Sequence, residues 1–133
     1  MLSLPETARY ALRAVSYIAE HEAKGPVPVS EVADALEAPQ NYLSKTLCEL
    51  GTLGVLRSVR GAQGGYRLGA PASRLRLAAI VQPFLAVQEH QCIMGHPRCR
   101  DDAPCGAHLR WKEVRETARN FFMELTLQDL IGR

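Results

Sequence analysis

No apolar run in this chain approaches the length of a membrane span, which takes about 20 consecutive residues. No secretory leader is expected either, because Met1 to Thr7 is not basic and the first apolar stretch is amphipathic rather than continuous. The expectation is a cytoplasmic protein with no membrane partner. Neither a Gly-rich phosphate loop nor a nucleophile motif is present, which argues against an enzyme. Internal repeats, low-complexity tracts and flexible linkers are also absent. A chain of 133 residues is then read as one domain. The most informative gap is local. Between Leu50 and Gln88 there is no Asp or Glu, while Arg57, Arg60, Arg67, Arg74 and Arg76 all fall there. The net charge of +2 is too small to imply a partner, but an acid-free, arginine-bearing segment suits phosphates or a narrow minor groove.

What is there centres on Val29 to Leu68. Ser30 has the hydroxyl of a helix cap, and Val32, Ala33 and Leu36 follow at helical spacing. Glu37-Ala38-Pro39 breaks that helix, since a residue before proline leaves the α region and proline suits a helix start. A second helix is predicted from about Gln40 to Leu50, with Leu43, Leu47 and Leu50 as its apolar face. Cys48 reads as a small packing residue. Gly51 and Gly54 suit the turn away from the helix, with Leu53, Val55 and Leu56 returning to the core. Two short strands, LRSVR and GYRL, flank Gly61-Ala62-Gln63-Gly64, a loop whose glycines allow a hairpin. Helix, turn, helix and basic hairpin make a winged helix-turn-helix, whose second helix has the geometry for a major groove. Gln40, Asn41, Tyr42, Ser44 and Lys45 would face that groove, and Arg60 and Gln63 would work in or beside the minor groove. A winged module that binds protein instead of DNA is the bland alternative.

Before this unit, Pro5 to about Ala23 reads as a first helix with a stripe of Tyr10, Ala11, Ala14, Val15 and Ile18. Arg9 and Arg13 lie off the stripe, and Lys24 to Pro28 reads as a turn. After it, Leu75 to Leu77 reads as extended, and Leu77 to Leu85 as a helix with Pro83 near its end. From about Ala107 to Leu125, Trp111, Val114, Ala118, Phe121 and Leu125 recur at intervals of three and four. Such a stripe suits packing against a second helix, hence a homodimer. Leu127, Leu130 and Ile131 form a short tail suited to covering the first helix.

Four cysteines in a cytoplasmic chain are metal ligands or sensors more often than disulfides. Cys92, Cys99 and Cys105 stand in a Gly-, Pro- and Asp-rich segment, and His108 follows three residues after Cys105. Thiolates suit iron–sulfur clusters or zinc. Close C-x2-C pairs, usual in zinc modules, are absent. A thiol redox switch is a further alternative, and His96 is a spare donor.

The wing RSVRGAQGGYRLGAP, after NYLSKTLCELGTLGVL, resembles the signature of the Rrf-type bacterial transcription regulators, a family that includes the iron–sulfur regulator IscR and the nitric-oxide regulator NsrR. The opening LPETARYALRAVSYIA and the closing NFFMELTLQDLI are similar to that family too, so the likeness spans nearly the whole chain. It implies a homodimeric regulator on a partly palindromic double-stranded DNA operator. It also implies a cluster, [2Fe-2S] by preference with [4Fe-4S] or zinc as alternatives, held by Cys92, Cys99, Cys105 and His108. The first gap of C-x6-C-x5-C-x2-H is one residue longer than in the family's loop. Some relatives take an acidic ligand from the partner's first helix, where this chain has Arg9, so the histidine is the better match. Ser44 replaces an acidic residue of the iron–sulfur regulator, so that regulator's operator preference does not transfer.

The expected fold is mainly α with a small β wing. Residues 1–70 form the DNA-binding part, 71–91 a connecting helix, 92–106 the cysteine loop, and 107–133 a dimerisation helix and tail.

Overall fold

The structure, a computed structural model, describes residues 4–85, 93, 94, 102 and 104–132. Helix α1 spans Glu6–His21 and buries Ala8, Ala11, Ala14, Val15 and Ile18. Three alanines on that stripe let neighbouring helices approach closely, so α1 becomes the post against which the others pack. Pro5 stands just before the helix, where its missing N–H costs nothing. A 3-10 turn, Glu22–Lys24, ends it.

Helix α2 (Val29–Leu36) starts two residues earlier than Ser30 as a cap would require. Pro28 holds the cap position, and its carbonyl accepts the N–H groups of Glu31 and Val32 at 3.1 and 3.2 Å. Its φ of −65° is already set for helix entry. Ser30 lies inside the first turn, so the predicted serine cap is corrected. At the far end Glu37 adopts a left-handed backbone, φ 54° and ψ 44°. Its N–H donates to Asp34, and the N–H of Ala38 donates to Ala33 at 3.0 Å. That is the helix-ending pattern usually built on glycine.

Helix α3 (Gln40–Thr52) follows Pro39 and buries Leu43, Thr46, Leu47 and Leu50. It runs two residues further than predicted. Gly51 is helical, and the turn falls to Gly54, whose φ is 82°. The chain then re-enters the core at Val55 and Leu56, leaving Leu53 54% exposed instead of packed as expected. Truncating any of the three buried leucines to alanine costs about 2–5 kcal/mol.

Strands β1 (Leu56–Val59) and β2 (Gly65–Leu68) pair antiparallel, Leu56 opposite Leu68 at the root and Val59 opposite Gly65 near the tip. Val27, predicted in a turn, adds a single bridge to the outer edge of β2. Its N–H donates to Tyr66 at 2.9 Å and its carbonyl accepts from Tyr66 at 2.8 Å. A two-stranded hairpin is marginal alone, so this bridge anchors the wing to the helical core.

The short helix α4 (Leu77–Val81) ends in a 3-10 turn holding Pro83. Helix α5 spans His108–Glu124, and α6 spans Leu127–Ile131. Leu77 N–H donates to Leu125 and Leu127 N–H donates to Leu75, at 2.9 and 2.7 Å. These two bonds tie the α5–α6 junction to the start of α4. Leu127 is fully buried, Ile131 half-buried, and α6 lies against α1 as the tail was expected to do. The long helix stops before Leu125, which is extended and half-buried against the core.

Candidate functional site

With Leu43, Leu47 and Leu50 turned inward, the opposite row of α3 is Asn41, Lys45, Cys48 and Thr52, spaced four, three and four apart. All four are exposed, as is Gln40, and Ser44 is half-buried beside them. Cys48 therefore belongs to the outward row, a correction to its reading as a packing residue. The leucine stripe already fills the inner face. Tyr42 sits on the flank toward α1, half-buried, its ring edge-to-face with Tyr10 at 5.5 Å. Burial first, then the Glu6 carboxylate and Tyr10, pushes the Tyr42 phenol's pKa above its ordinary value. The hydroxyl thus stays a donor at neutral pH. Arg9 and Arg13 are exposed on α1, and the Arg13 guanidinium lies 5.7 Å from the centre of the Tyr10 ring.

The wing projects beside α3. Arg57, Arg60 and Gln63 are exposed, and Gly61 between strands takes φ 115°, a conformation glycine adopts without strain. Gly65 has another reason to be glycine: a Cβ there would stand 2.4 Å from the backbone of Val27. The five arginines of the acid-free segment divide by role. Arg67 donates to the Glu22 carbonyl at 3.0 Å, and Arg76 donates to the Glu124 carbonyl, so both hold the fold together. Arg57 and Arg60 stand out from the strands, and Arg74 is exposed on the 3-10 turn that follows the wing.

Of the predicted cluster donors, Cys92 and Cys99 lie outside the described residues, as does His96. Cys105 is half-buried, and the His108 N–H donates to its carbonyl at 3.1 Å, so these two stand one turn apart at the head of α5. His108, 4% exposed, is the one residue of α5 that is fully buried. Among the described residues no three His, Cys, Asp or Glu side chains converge as a metal site.

Along the rest of α5, Val114, Ala118 and Phe121 of the predicted stripe are exposed, and Trp111 is half-buried. Phe121 is 50% exposed and meets Phe122 edge-to-face at 5.2 Å, while Phe122 turns to the core. The two phenylalanines thus have different facings, as their adjacency requires. No described helix is long and apolar enough to cross a membrane.

A chain of Aquifex aeolicus (strain VF5) named as a helix-turn-helix-type transcriptional regulator is 32% identical over 130 residues, covering 96% of this chain and 90% of that one. The regulator IscR of Vibrio atlanticus (strain LGP32) is 28% identical, over 98% of this chain and 75% of its own. Among solved structures, CymR, titled the global cysteine regulator of B. subtilis, superposes with a TM-score of 0.81 at 25% identity, covering 98% of this chain and 97% of that one. IscR of T. potens superposes with a TM-score of 0.75 at 22% identity, over 98% and 86% of the two chains, a likeness of fold. The profile of the Rrf2 family, described as iron-dependent transcriptional regulators, matches residues 4–133. With its winged helix-turn-helix spanned by that match, the chain belongs to the Rrf2 family of transcriptional regulators.

Proposed function

We propose that the chain acts as a homodimer on a duplex operator. Gln40, Asn41, Ser44 and Lys45 would enter the major groove, with Tyr42 on the flank and Arg60 and Gln63 in or beside the minor groove. The observation that carries this is the outward row of α3 standing next to an acid-free wing with free-standing Arg57 and Arg60. Asn and Gln can bond an adenine edge twice, and lysine can bond guanine or phosphate. The exposed face of α5 supplies the seam for the second copy, which would set two wings in a twofold relation.

Cys92, Cys99, Cys105 and His108 would hold an iron–sulfur cluster, [2Fe-2S] in our reading, that reports iron or redox status. Supporting this, Cys105 and His108 stand one helical turn apart, a soft thiolate and an imidazole of the donor set such a group takes. When bound, the cluster supplies a ligand whose presence depends on iron supply and oxidation. The chain's own part is to join that site to the DNA. The cysteine segment runs directly into α5 in sequence, so a cluster held there would bias how α5 meets its counterpart and how far apart the two α3 helices lie. Control then requires different operator affinities in the two dimer arrangements. Zinc, or bare thiols as sensors, on the same cysteines is the competing chemistry, and likeness to the cysteine regulator CymR keeps it in view.

Two measurements test this. Anisotropy titrations on a duplex selected from a random pool should show Arg60→Ala weakening binding by about 1–3 kcal/mol and reducing the slope of log K against log salt. Unchanged binding at every salt concentration would remove the wing from the interface. Anaerobic purification with absorption, iron, sulfide and zinc assays should give iron and sulfide, lost when Cys92, Cys99 or Cys105 is changed to Ala in a protein that still folds. Zinc alone, or no metal, would overturn the cluster.

A further inference from the structure

Away from the outward row of α3, the Glu22 side chain reaches from the 3-10 turn that ends α1 to the wing. The Glu22 carboxylate accepts the Leu68 N–H at 2.7 Å, and the Glu22 carbonyl accepts from the Arg67 guanidinium at 3.0 Å. Leu68 is the root of the hairpin, paired with Leu56. On the outer edge of β2, the N–H groups of Tyr66 and Leu68 face the same way, two residues apart. Val27 satisfies the first, and Glu22 satisfies the second in place of a further strand residue.

We propose that Glu22 is a positioning residue for DNA binding, setting the angle of the wing through its carboxylate bond to Leu68. The inference rests on the reading of Arg60 as a DNA contact. The wing is a lever held at one end. Its strands carry the tip about 10–13 Å beyond the root, so a tilt of about 10° moves Arg60 by about 2 Å. A shift of that size breaks a hydrogen bond to phosphate or base. A charged acceptor holds its donor more tightly than a neutral carbonyl does. Glu22 thus closes the edge that the Val27 bridge leaves unfinished.

The test is a double-mutant cycle on the selected duplex, with the full chain and a thermal midpoint recorded for every variant. Glu22→Ala should bind about tenfold more weakly if the freed wing holds the competent angle about one time in ten, because apparent affinity scales with the competent fraction. Glu22→Gln keeps an oxygen that can accept from Leu68 and should stay within about threefold of the parent. The decisive variant is Glu22→Ala with Arg60→Ala, which should bind no more than about twofold more weakly than Arg60→Ala alone, since coupled residues fail to add. A residue that merely stabilises the fold would lower the thermal midpoint and leave affinity unchanged. That result, or losses that multiply in the double variant, would overturn the proposal while leaving the wing reading intact. If Arg60→Ala bound as the parent does, the wing reading would fail and this inference with it. Should Glu22→Ala lose its thermal transition, Glu22→Met, which keeps the aliphatic stem and removes the carboxylate acceptor of the Leu68 N–H, takes its place in the cycle with the same expectations.

Discussion

Two single residues carry backbone demands of opposite sign. Gly65 leaves no room for a methyl group, because a Cβ would press to 2.4 Å from the backbone of Val27. Gly65→Ala should therefore destabilise the protein by about 1–3 kcal/mol, the usual range for overpacking. Operator affinity should fall with it, since the wing is displaced from its anchor. A variant with parental urea midpoint and parental affinity would contradict the close approach. Glu37 is the reverse case, a side chain in the left-handed region at φ 54°. A non-glycine residue there costs about 1–2 kcal/mol, partly offset by the entropy glycine loses on folding. Glu37→Gly should thus stabilise by about 0.5–1 kcal/mol in urea unfolding. A loss of stability would mean that the Glu37 side chain makes a compensating contact.

Among the elements, α6 shows how a very short helix is held. The Thr126 hydroxyl accepts the Asp129 N–H at 3.2 Å, and the Asp129 carboxylate accepts the Thr126 N–H at 2.9 Å, closing a capping box. Removing the cap by Thr126→Ala should cost about 1 kcal/mol. The backbone bond from Thr126, then its hydroxyl and the charge of Arg76, hold the Asp129 carboxyl's pKa below its ordinary value. A carboxyl more acidic in the folded state stabilises it above the unfolded carboxyl's range and loses that contribution as pH falls through the folded value. The cap should be intact at neutral pH and open in acid. Amide exchange at Asp129 and Leu130 reads it directly: protection should fall as acid neutralises the carboxyl. Asp129→Asn should remove that dependence, and a pH dependence surviving in the variant would assign it elsewhere. Helix α5 is the contrasting case, long and outward-facing, with His108 as its only fully buried residue. Most helical stability in proteins comes from packing of an apolar face, and little of α5 is covered within one copy, which is the ground for the proposed dimer.

For the whole molecule, that exposed face is where the proposed dimer is decided. Phe121→Glu would place a charge in an apolar seam, which is costly without a partner. Sedimentation should then report monomers or aggregates, and operator binding should be lost. A Phe121→Glu protein that remained dimeric would put the seam on another face. In the proposed dimer, with α5 joining two wings, a small change at the head of α5 would be carried along the helix to both halves of the site.

Much was legible from residue order alone, and for local reasons. Pro39 and the 3.6-residue spacing of apolar residues in α2 and α3 place both helices of the turn, although the start of α2 fell to Pro28 instead of the expected Ser30. Glycines at 61 and 64 place the hairpin, and the lack of acids between Leu50 and Gln88 marks the charge of the wing. These signals act over a few residues, where backbone sterics and side-chain periodicity leave few choices. Four features were decided only by tertiary packing. Cys48 and Leu53 turn outward because the leucine stripe, Val55 and Leu56 already fill the core. Tyr42 turns toward Tyr10 because α1 lies there. Val27 becomes a strand residue because β2 offers it an unpaired edge. Glu22 joins the wing across 46 positions of chain, a contact no local pattern encodes. The division follows from range: periodicity and turn chemistry determine each element, whereas which face is covered, and by what, depends on elements distant in sequence competing for the same apolar surface and the same unsatisfied N–H groups.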